Sequence, residues 1–357
     1  MTQPFAGKRI LITGGTGSLG KTLARRILSG VHGEPERVVV FSRDEAKQHD
    51  MRMAYLQRRV ATDEIIYENF KRTLEFVIGD VRDPDSVRNV IRGIDIVFNA
   101  AALKQVPSCE YFPFEAVQTN ITGAQNLVNA LATTRHHVSR LIGISTDKAC
   151  LPVNVMGMTK AVQERIFISA NLGSDDTDFV CARYGNVLAS RGSVIPLFHD
   201  QINSGGPVTI THPDMTRFLL SLEDAVDTIV AATADGRPGE IFIPRAPAAK
   251  VTDIADVLIG DRGIAIADIG IRPGEKLHEA LISEEEAQRT DRRGDFYAIT
   301  PMLSELTNDA PAFTPALDTE FSSDRFVMDR DGVVDLLTRN RLLLADGAPE
   351  DASGARL

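Results

Sequence analysis

Two nearby segments carry the residue types that move protons. An apolar run ends in Ser145-Thr146-Asp147-Lys148, and Met156-Gly157-Met158-Thr159-Lys160 follows beyond the helix breaker Pro152. A carboxyl and an amine on consecutive residues can both face one substrate if the chain curls there. Asp147 and Lys148 are therefore candidates for paired acid and base work. A lysine base must be partly neutral, so burial or a nearby cation should depress the Lys148 pKa, and an acid needs the opposite shift. Thr146 can orient a hydroxyl, and Lys160 can accept or relay its proton. Met156 stands four residues before Lys160, and a thioether accepts no proton at any accessible pH.

A second constellation points to a dinucleotide. Thr13-Gly14-Gly15-Thr16-Gly17-Ser18-Leu19-Gly20 follows one expected strand and opens a helix. Gly14 permits the tight turn, Gly17 lets backbone N–H groups approach a pyrophosphate, and Gly20 allows close helix packing. At Ser42-Arg43-Asp44 the arginine suits a 2′-phosphate, so NADP is expected in preference to NAD, with Asp44 the residue that would serve NAD. Asp80-Val81 can hold the adenine edge. Ala100-Ala101-Ala102 offers a floor for the nicotinamide half, with Lys104 just beyond it.

These groups need a scaffold that collects strand ends. β-rich runs at 9–13, 37–41, 74–78, 95–99, 139–145 and 179–183 alternate with helix-period segments at 18–29, 84–91, 114–132 and 155–170. Nearly all-apolar strands between helices imply a doubly wound parallel α/β sheet of the Rossmann kind, whose carboxyl edge binds ligands. The charged stretch 44–73 reads as a helical insertion. Turn-rich punctuation beyond Gly185 marks a smaller C-terminal lobe, giving units at 1–185 and 186–345, with strands of the first able to recur later and 346–357 a flexible tail.

The 357 residues carry 39 Lys and Arg against 49 Asp and Glu, a net charge of −10. That acidity argues against nucleic acid or an anionic membrane as partner. Cys109, Cys150 and Cys181 form no CxxC pair, which fits a reducing cytoplasm. No run approaches the ~18 to 20 apolar residues of a membrane span, and the N-terminal apolar run leads into glycines, so the N-terminus is expected to belong to the fold. Seven histidines include no HExxH and no helical pair, so no metal is expected.

Together, Thr13–Gly20, Ser42–Asp44, Gly79–Asp83, Ala100–Lys104, Thr119-Asn120, Ser145–Ala149, Arg183–Val187, Ser190–Val194 and Arg272–Lys276 resemble the inverting UDP-N-acetylglucosamine 4,6-dehydratases of bacterial surface-glycan synthesis. These are extended short-chain dehydrogenase/reductases, and the resemblance covers about residues 7–300, within the branch that has Met-x-x-x-Lys in place of Tyr-x-x-x-Lys. It implies that Lys160 and Asn120 belong to the cofactor site and that Lys104, Asn186 and Val194 border the sugar or its diphosphate. Arg191, Arg217 and Arg272 become candidates for the UDP phosphates, and Glu275 for the uridine ribose. The implied chemistry is C4 oxidation, loss of the C5 proton and C6 hydroxyl, hydride return to C6 and reprotonation of C5 from the opposite face. A homo-oligomer is also implied. Three alternatives stay open: a 5,6-unsaturated product, C4 epimerisation without dehydration, and a non-catalytic protein that binds NADP and a UDP-sugar.

Overall fold

Valine- and isoleucine-rich strands cannot be left half in water, and the chain buries them between two helix layers. The computed structural model describes residues 3–57, 64–133, 137–188, 193–307 and 314–344. Its first six strands are β1 (Arg9–Thr13), β2 (Arg37–Ser42), β3 (Leu74–Ile78), β4 (Ile96–Asn99), β5 (Arg140–Thr146) and β6 (Asp178–Tyr184). All are parallel, in the order β3-β2-β1-β4-β5-β6. In β1, β2, β5 and β6 the interior positions are all buried, as expected of strands covered on both faces. Helix Ser18–Leu28 packs with Glu64–Thr73 and Leu222–Asp235, while Gly123–Thr133 packs with Pro84–Val90 and Val155–Ala170. The fold is the doubly wound α/β arrangement that the alternation implied.

Beyond β6 come β7 (Asn186–Val187), β8 (Val208–Ile210), β9 (Thr216–Leu220), β10 (Ile241–Pro244), β11 (Ala248–Lys250), β12 (Ile266–Asp268), β13 (Ala280–Ile282), β14 (Thr290–Arg293), β15 (Phe296–Ile299) and β16 (Phe321–Ser322). β10 joins the main sheet parallel to β6, and the antiparallel hairpin β14-β15 extends it. The other strands form small sheets: β11-β9-β7 and β12-β8 contribute to a second apolar cluster that includes Phe198, Val208, Leu258 and Leu337, while β13-β16 packs Leu281, Ile282 and Phe321 into the main core. The sequence pattern did not locate these short strands. The segment expected as a helix over 114–132 is helical throughout, with Pro113–Ala116 and Gly123–Thr133 flanking a π-helical stretch at Val117–Thr122. The tail at 346–357 lies outside the described residues. Among the described residues no helix is long and apolar enough to cross a membrane, and none of the His, Cys, Asp and Glu groupings could hold a metal.

One buried ionic group ties the C-terminal region to the sheet. Arg183, at the end of β6, donates to Glu164 Oε2 at 2.7 Å and to Glu286 Oε1 and Oε2 at 2.9 and 2.8 Å, and also to the Leu281 carbonyl at 2.9 Å. Burial alone would push the Glu286 pKa up, but the Arg183 charge outweighs it and holds that carboxyl at about 2. A carboxyl lowered in the folded state stabilises it above its ordinary pKa and loses that effect as pH falls toward the folded value. The window here runs from about 4.5 down to about 2, worth about 3 kcal/mol. Urea unfolding should show Glu286→Gln far less stable than the parent near neutral pH, with the gap closing on acidification. A gap independent of pH would contradict this.

Candidate active site

Parallel strands bring the ends of β1, β2, β3 and β4 to one edge, where they line a cleft of about 480 Å³. Gly14 turns there with φ of +64°, and a Cβ on it would lie 2.8 Å from the Ala100 carbonyl oxygen and from Ala101, so a side chain would close the cleft floor. A Cβ on Gly20 would lie 2.5 Å from Gly15 Cα, which explains the close helix start. Gly17 caps helix Ser18–Leu28 without a side-chain bond, leaving the backbone N–H groups of the first turn for an anion. The cleft is lined by Gly14, Thr16, Gly17, Ser18, Ser42, Arg43, Asp44, Asp80, Val81, Ala101, Ala102 and Lys104, as the motifs suggested. Lys21, Lys47 and Thr119 also line it, of which only Thr119 stood in a quoted motif, without an assigned role. Leu19 and Ala100 pack against the main core instead.

Asn120 does not face this cleft. Its amide is spent on structure: it accepts from Leu103 N at 2.8 Å and donates to Leu103 O at 3.0 Å and Thr159 Oγ1 at 2.9 Å. The π-helical turn advances the register, so Thr119 takes the lining position. Beyond β2, Asp44 Oδ1 accepts from Lys47 N at 3.0 Å and Asp44 Oδ2 pairs with Lys47 Nζ at 2.7 Å. Asp80 pairs with Arg82 at 2.8 Å, and Arg43 approaches it at 3.6 Å while remaining half-exposed.

The proton-handling residues sit on the same edge, at the end of β5. Thr146 Oγ1 donates to Asp147 Oδ1 at 2.7 Å, and Lys148 Nζ donates to the same oxygen at 3.0 Å. Asp147 is buried, and its Oδ2 has no hydrogen-bond partner among the described residues. Across from it lies Glu279, also buried, with Oε1 at 3.3 Å from Lys148 Nζ. Glu279 gave no sequence signal, because its partner is 131 positions upstream. The expected depression of the Lys148 pKa is overturned. Burial does pull it down and Arg217 adds to that, but Asp147 and Glu279 outweigh both, and the amine is held as an ammonium above its ordinary value.

Lys160 behaves differently. Buried without a carboxylate contact, it donates to the Ile144 carbonyl and, at 2.6 Å, to Gln163 Oε1; burial pushes its pKa down to about 8. Met156 is buried in a small apolar cluster with Cys109 and Ala116, so no proton acceptor occupies that turn of the helix. Asn186 Oδ1 and Glu275 Oε2 are buried polar atoms without partners among the described residues. Arg217 is engaged by the carbonyls of Thr216, Leu277 and Lys276 at 2.7, 3.1 and 3.0 Å. Arg272 is exposed, Val194 packs against the second apolar cluster, and Arg191 lies outside the described residues.

A family model described as polysaccharide biosynthesis protein matches residues 10–301. A protein of Rickettsia conorii named UDP-glucose 4-epimerase is 44% identical over 314 residues, 87% of each chain; its counterpart in Rickettsia bellii is 43% identical. The X-ray structure of Pen from Bacillus thuringiensis is 33% identical, with a TM-score of 0.82 over 95% of this chain and 99% of that one. DesIV from Streptomyces venezuelae, a dTDP-glucose 4,6-dehydratase crystallised with NAD, shares 22% identity and a TM-score of 0.63 over 75% of this chain and 86% of its own, a likeness of fold.

The turn at 147–149 rests on a glycine. A Cβ on Gly157 would lie 2.1 Å from the Lys148 carbonyl oxygen, and Asn154 caps the helix there by accepting from Gly157 N at 2.8 Å while donating to the Gly274 carbonyl at 2.8 Å. Gly157→Ala should therefore displace Asp147 and Lys148 and cost about 1 to 3 kcal/mol in thermal unfolding. Gly173→Ala, whose Cβ meets nothing within 4 Å, should be neutral or slightly stabilising. Equal stability of the two variants would contradict this packing.

Proposed function

For a chain that belongs to the polysaccharide biosynthesis protein family, as this one does, we propose NADP-dependent dehydration of UDP-N-acetylglucosamine to a UDP-2-acetamido-2,6-dideoxy-4-keto-hexose with inverted C5. The coarser reading is a nucleotide-sugar-modifying enzyme of the dehydratase and epimerase kind. The observation that carries the finer one is the gathering of Asp147, Lys148 and Glu279 at the end of β5. Epimerisation at C4 needs one group to take and return a hydroxyl proton. Elimination across C5 and C6 needs a separate acid and base, and this site supplies both.

The glycine loop and the helix N-terminus fit a pyrophosphate. Asp44 is committed to Lys47, and Arg43, half-exposed and only 3.6 Å from Asp80, fits a 2′-phosphate. When bound, the nicotinamide supplies the hydride acceptor for C4 and the donor for C6. Thr146 orients the C4 hydroxyl, and Lys160, with its lowered pKa, accepts or relays that proton. The roles first expected of the adjacent pair are exchanged in the resting site. Lys148, an ammonium, protonates the departing C6 hydroxyl, and Asp147 takes the C5 proton through its unpartnered Oδ2. Transfer of the abstracted proton across the 3.0 Å contact between Asp147 Oδ1 and Lys148 Nζ restores the ammonium, and a proton from solvent reaches the opposite face of C5 as hydride returns to C6 while Lys160 releases the C4 proton to solvent. Asn186 and Glu275, each with a buried unpartnered oxygen, fit the sugar nucleotide, with Arg272 and Arg191 for its phosphates, Arg217 contributing charge, and Lys104 and Val194 at the margin.

The name of the Rickettsia relatives favours a second reading, C4 epimerisation. Mass spectrometry of UDP-N-acetylglucosamine incubated with the protein and NADP separates the two: dehydration yields a product lighter by one water, epimerisation an isomer of unchanged mass. Lys148→Ala should abolish the lighter product while NADP binding, followed by fluorescence titration, persists; undiminished turnover would remove Lys148 from the reaction. Arg43→Ala should weaken NADP by about tenfold or more and leave NAD nearly unchanged, the worth of a charge-assisted phosphate contact. Equal loss for both dinucleotides would contradict the NADP assignment.

A further inference from the structure

We propose that Glu279 is a positioning residue, the second carboxylate of a three-member array that aims the Lys148 amine at the substrate and keeps it an ammonium. The geometry rests on the donor count of that amine. An ammonium has three N–H donors. One goes to Asp147 Oδ1 at 3.0 Å, and Glu279 Oε1 lies at ion-pair distance, 3.3 Å, so the amine keeps donor capacity for a ligand. The lysine is also the outward member of the array: its side chain is 21% exposed, against 1% for Asp147 and 3% for Glu279. The carboxylates form the buried backing and the amine the working face.

The Glu279 backbone is clamped so that its side chain has little choice of direction. Its N–H donates to Ser323 Oγ at 3.0 Å, and its carbonyl accepts from Ser323 N at 2.8 Å. Ser323 Oγ in turn shares a hydrogen bond with Thr216 Oγ1 at 2.7 Å. A carboxylate buried this far is costly unless cations face it. Two do: Lys148 on Oε1, and Lys276 at 3.6 Å from Oε2, itself anchored by donating to the Cys150 carbonyl at 2.7 Å. The Arg217 charge on β9 opposes the ammonium, and Asp147 and Glu279 together overcome it. Removing the Glu279 charge leaves burial and Arg217 acting against Asp147 alone.

The role assigned to Lys148 in catalysis rests on the dehydratase reading, but its charge state does not, and the two can be measured apart. Nine lysines make an NMR titration of the full chain with 13C-labelled lysine practicable, the Lys148 signal being identified by its loss in Lys148→Arg. In Glu279→Gln, the Lys148 midpoint should fall by about one unit or more. NADP binding and KM for UDP-N-acetylglucosamine should stay unchanged, and the alkaline limb of kcat should move to lower pH by the same amount. A Lys148 titration curve indistinguishable from that of the parent, in a folded Glu279→Gln protein, overturns the proposal. If that variant does not fold, Glu279→Asp decides: its retracted carboxylate should lower the midpoint by a smaller amount, and an unmoved midpoint overturns the proposal. A midpoint that falls while the alkaline limb of turnover stays in place upholds the hold of Glu279 on Lys148 and removes Lys148 as the acid of the dehydration.

Discussion

Burying one amine between two carboxylates is the constraint from which the rest of this molecule's organisation follows. Each charge taken out of water must be met by another at short range. Asp147 leaves the end of β5, whereas Glu279 precedes β13 and is fixed to Ser323 after β16 and, through the Ser323 hydroxyl, to Thr216 on β9. The array therefore exists only when the small C-terminal sheets are docked against the main one. The Arg183 group enforces that docking from behind, joining β6 to Glu164 of the long helix and to Glu286 beyond β13. Fold integrity and proton chemistry thus rest on neighbouring sets of buried ions, one closed and structural, the other open toward the ligand edge.

How much of this was legible follows from which interactions are local. Strand β3 and helix Val155–Ala170 were read to the residue because apolar runs are bounded there by Gly79 in one case and by Pro152 and Asn154 in the other. That the glycine-loop and strand-end motifs would gather at one cleft was legible because those loops directly follow strands, so a motif carries its own geometry. What failed was whatever depends on distant pairing. Strands β10, β14 and β15 have four residues each and take their places only through partners on β6 and one another. The π-helical turn at Val117–Thr122 rotates Asn120 into a structural role and Thr119 toward the cleft, a change of period that no residue type announces. Glu279 and the paired state of Lys148 belong to the same class: an amine's pKa is set by what faces it across the fold.

That last point changes the chemistry more than the architecture. An isolated buried lysine, such as Lys160, loses part of its basicity to desolvation and becomes suited to relaying a proton near neutral pH. Lys148, less deeply covered, has two carboxylate neighbours that hold it as an ammonium. Met156 fits this division, because its buried thioether removes the hydroxyl that would compete for the proton of the C4 alcohol. A site with an ammonium and a half-satisfied carboxylate side by side has more proton-transfer capacity than reversible oxidation at one carbon uses. On the reading proposed above, that surplus is what favours a dehydration over the epimerisation named for the Rickettsia relatives.

Running the reaction on UDP-N-acetylglucosamine in deuterated water and reading the hexose by NMR tests this division of labour most directly. The account predicts a C6 methyl group beside a C4 ketone, with solvent deuterium at C5 and couplings of the inverted ring. A C4-epimerised sugar that keeps its C6 hydroxyl and carries no deuterium at C5 would contradict it.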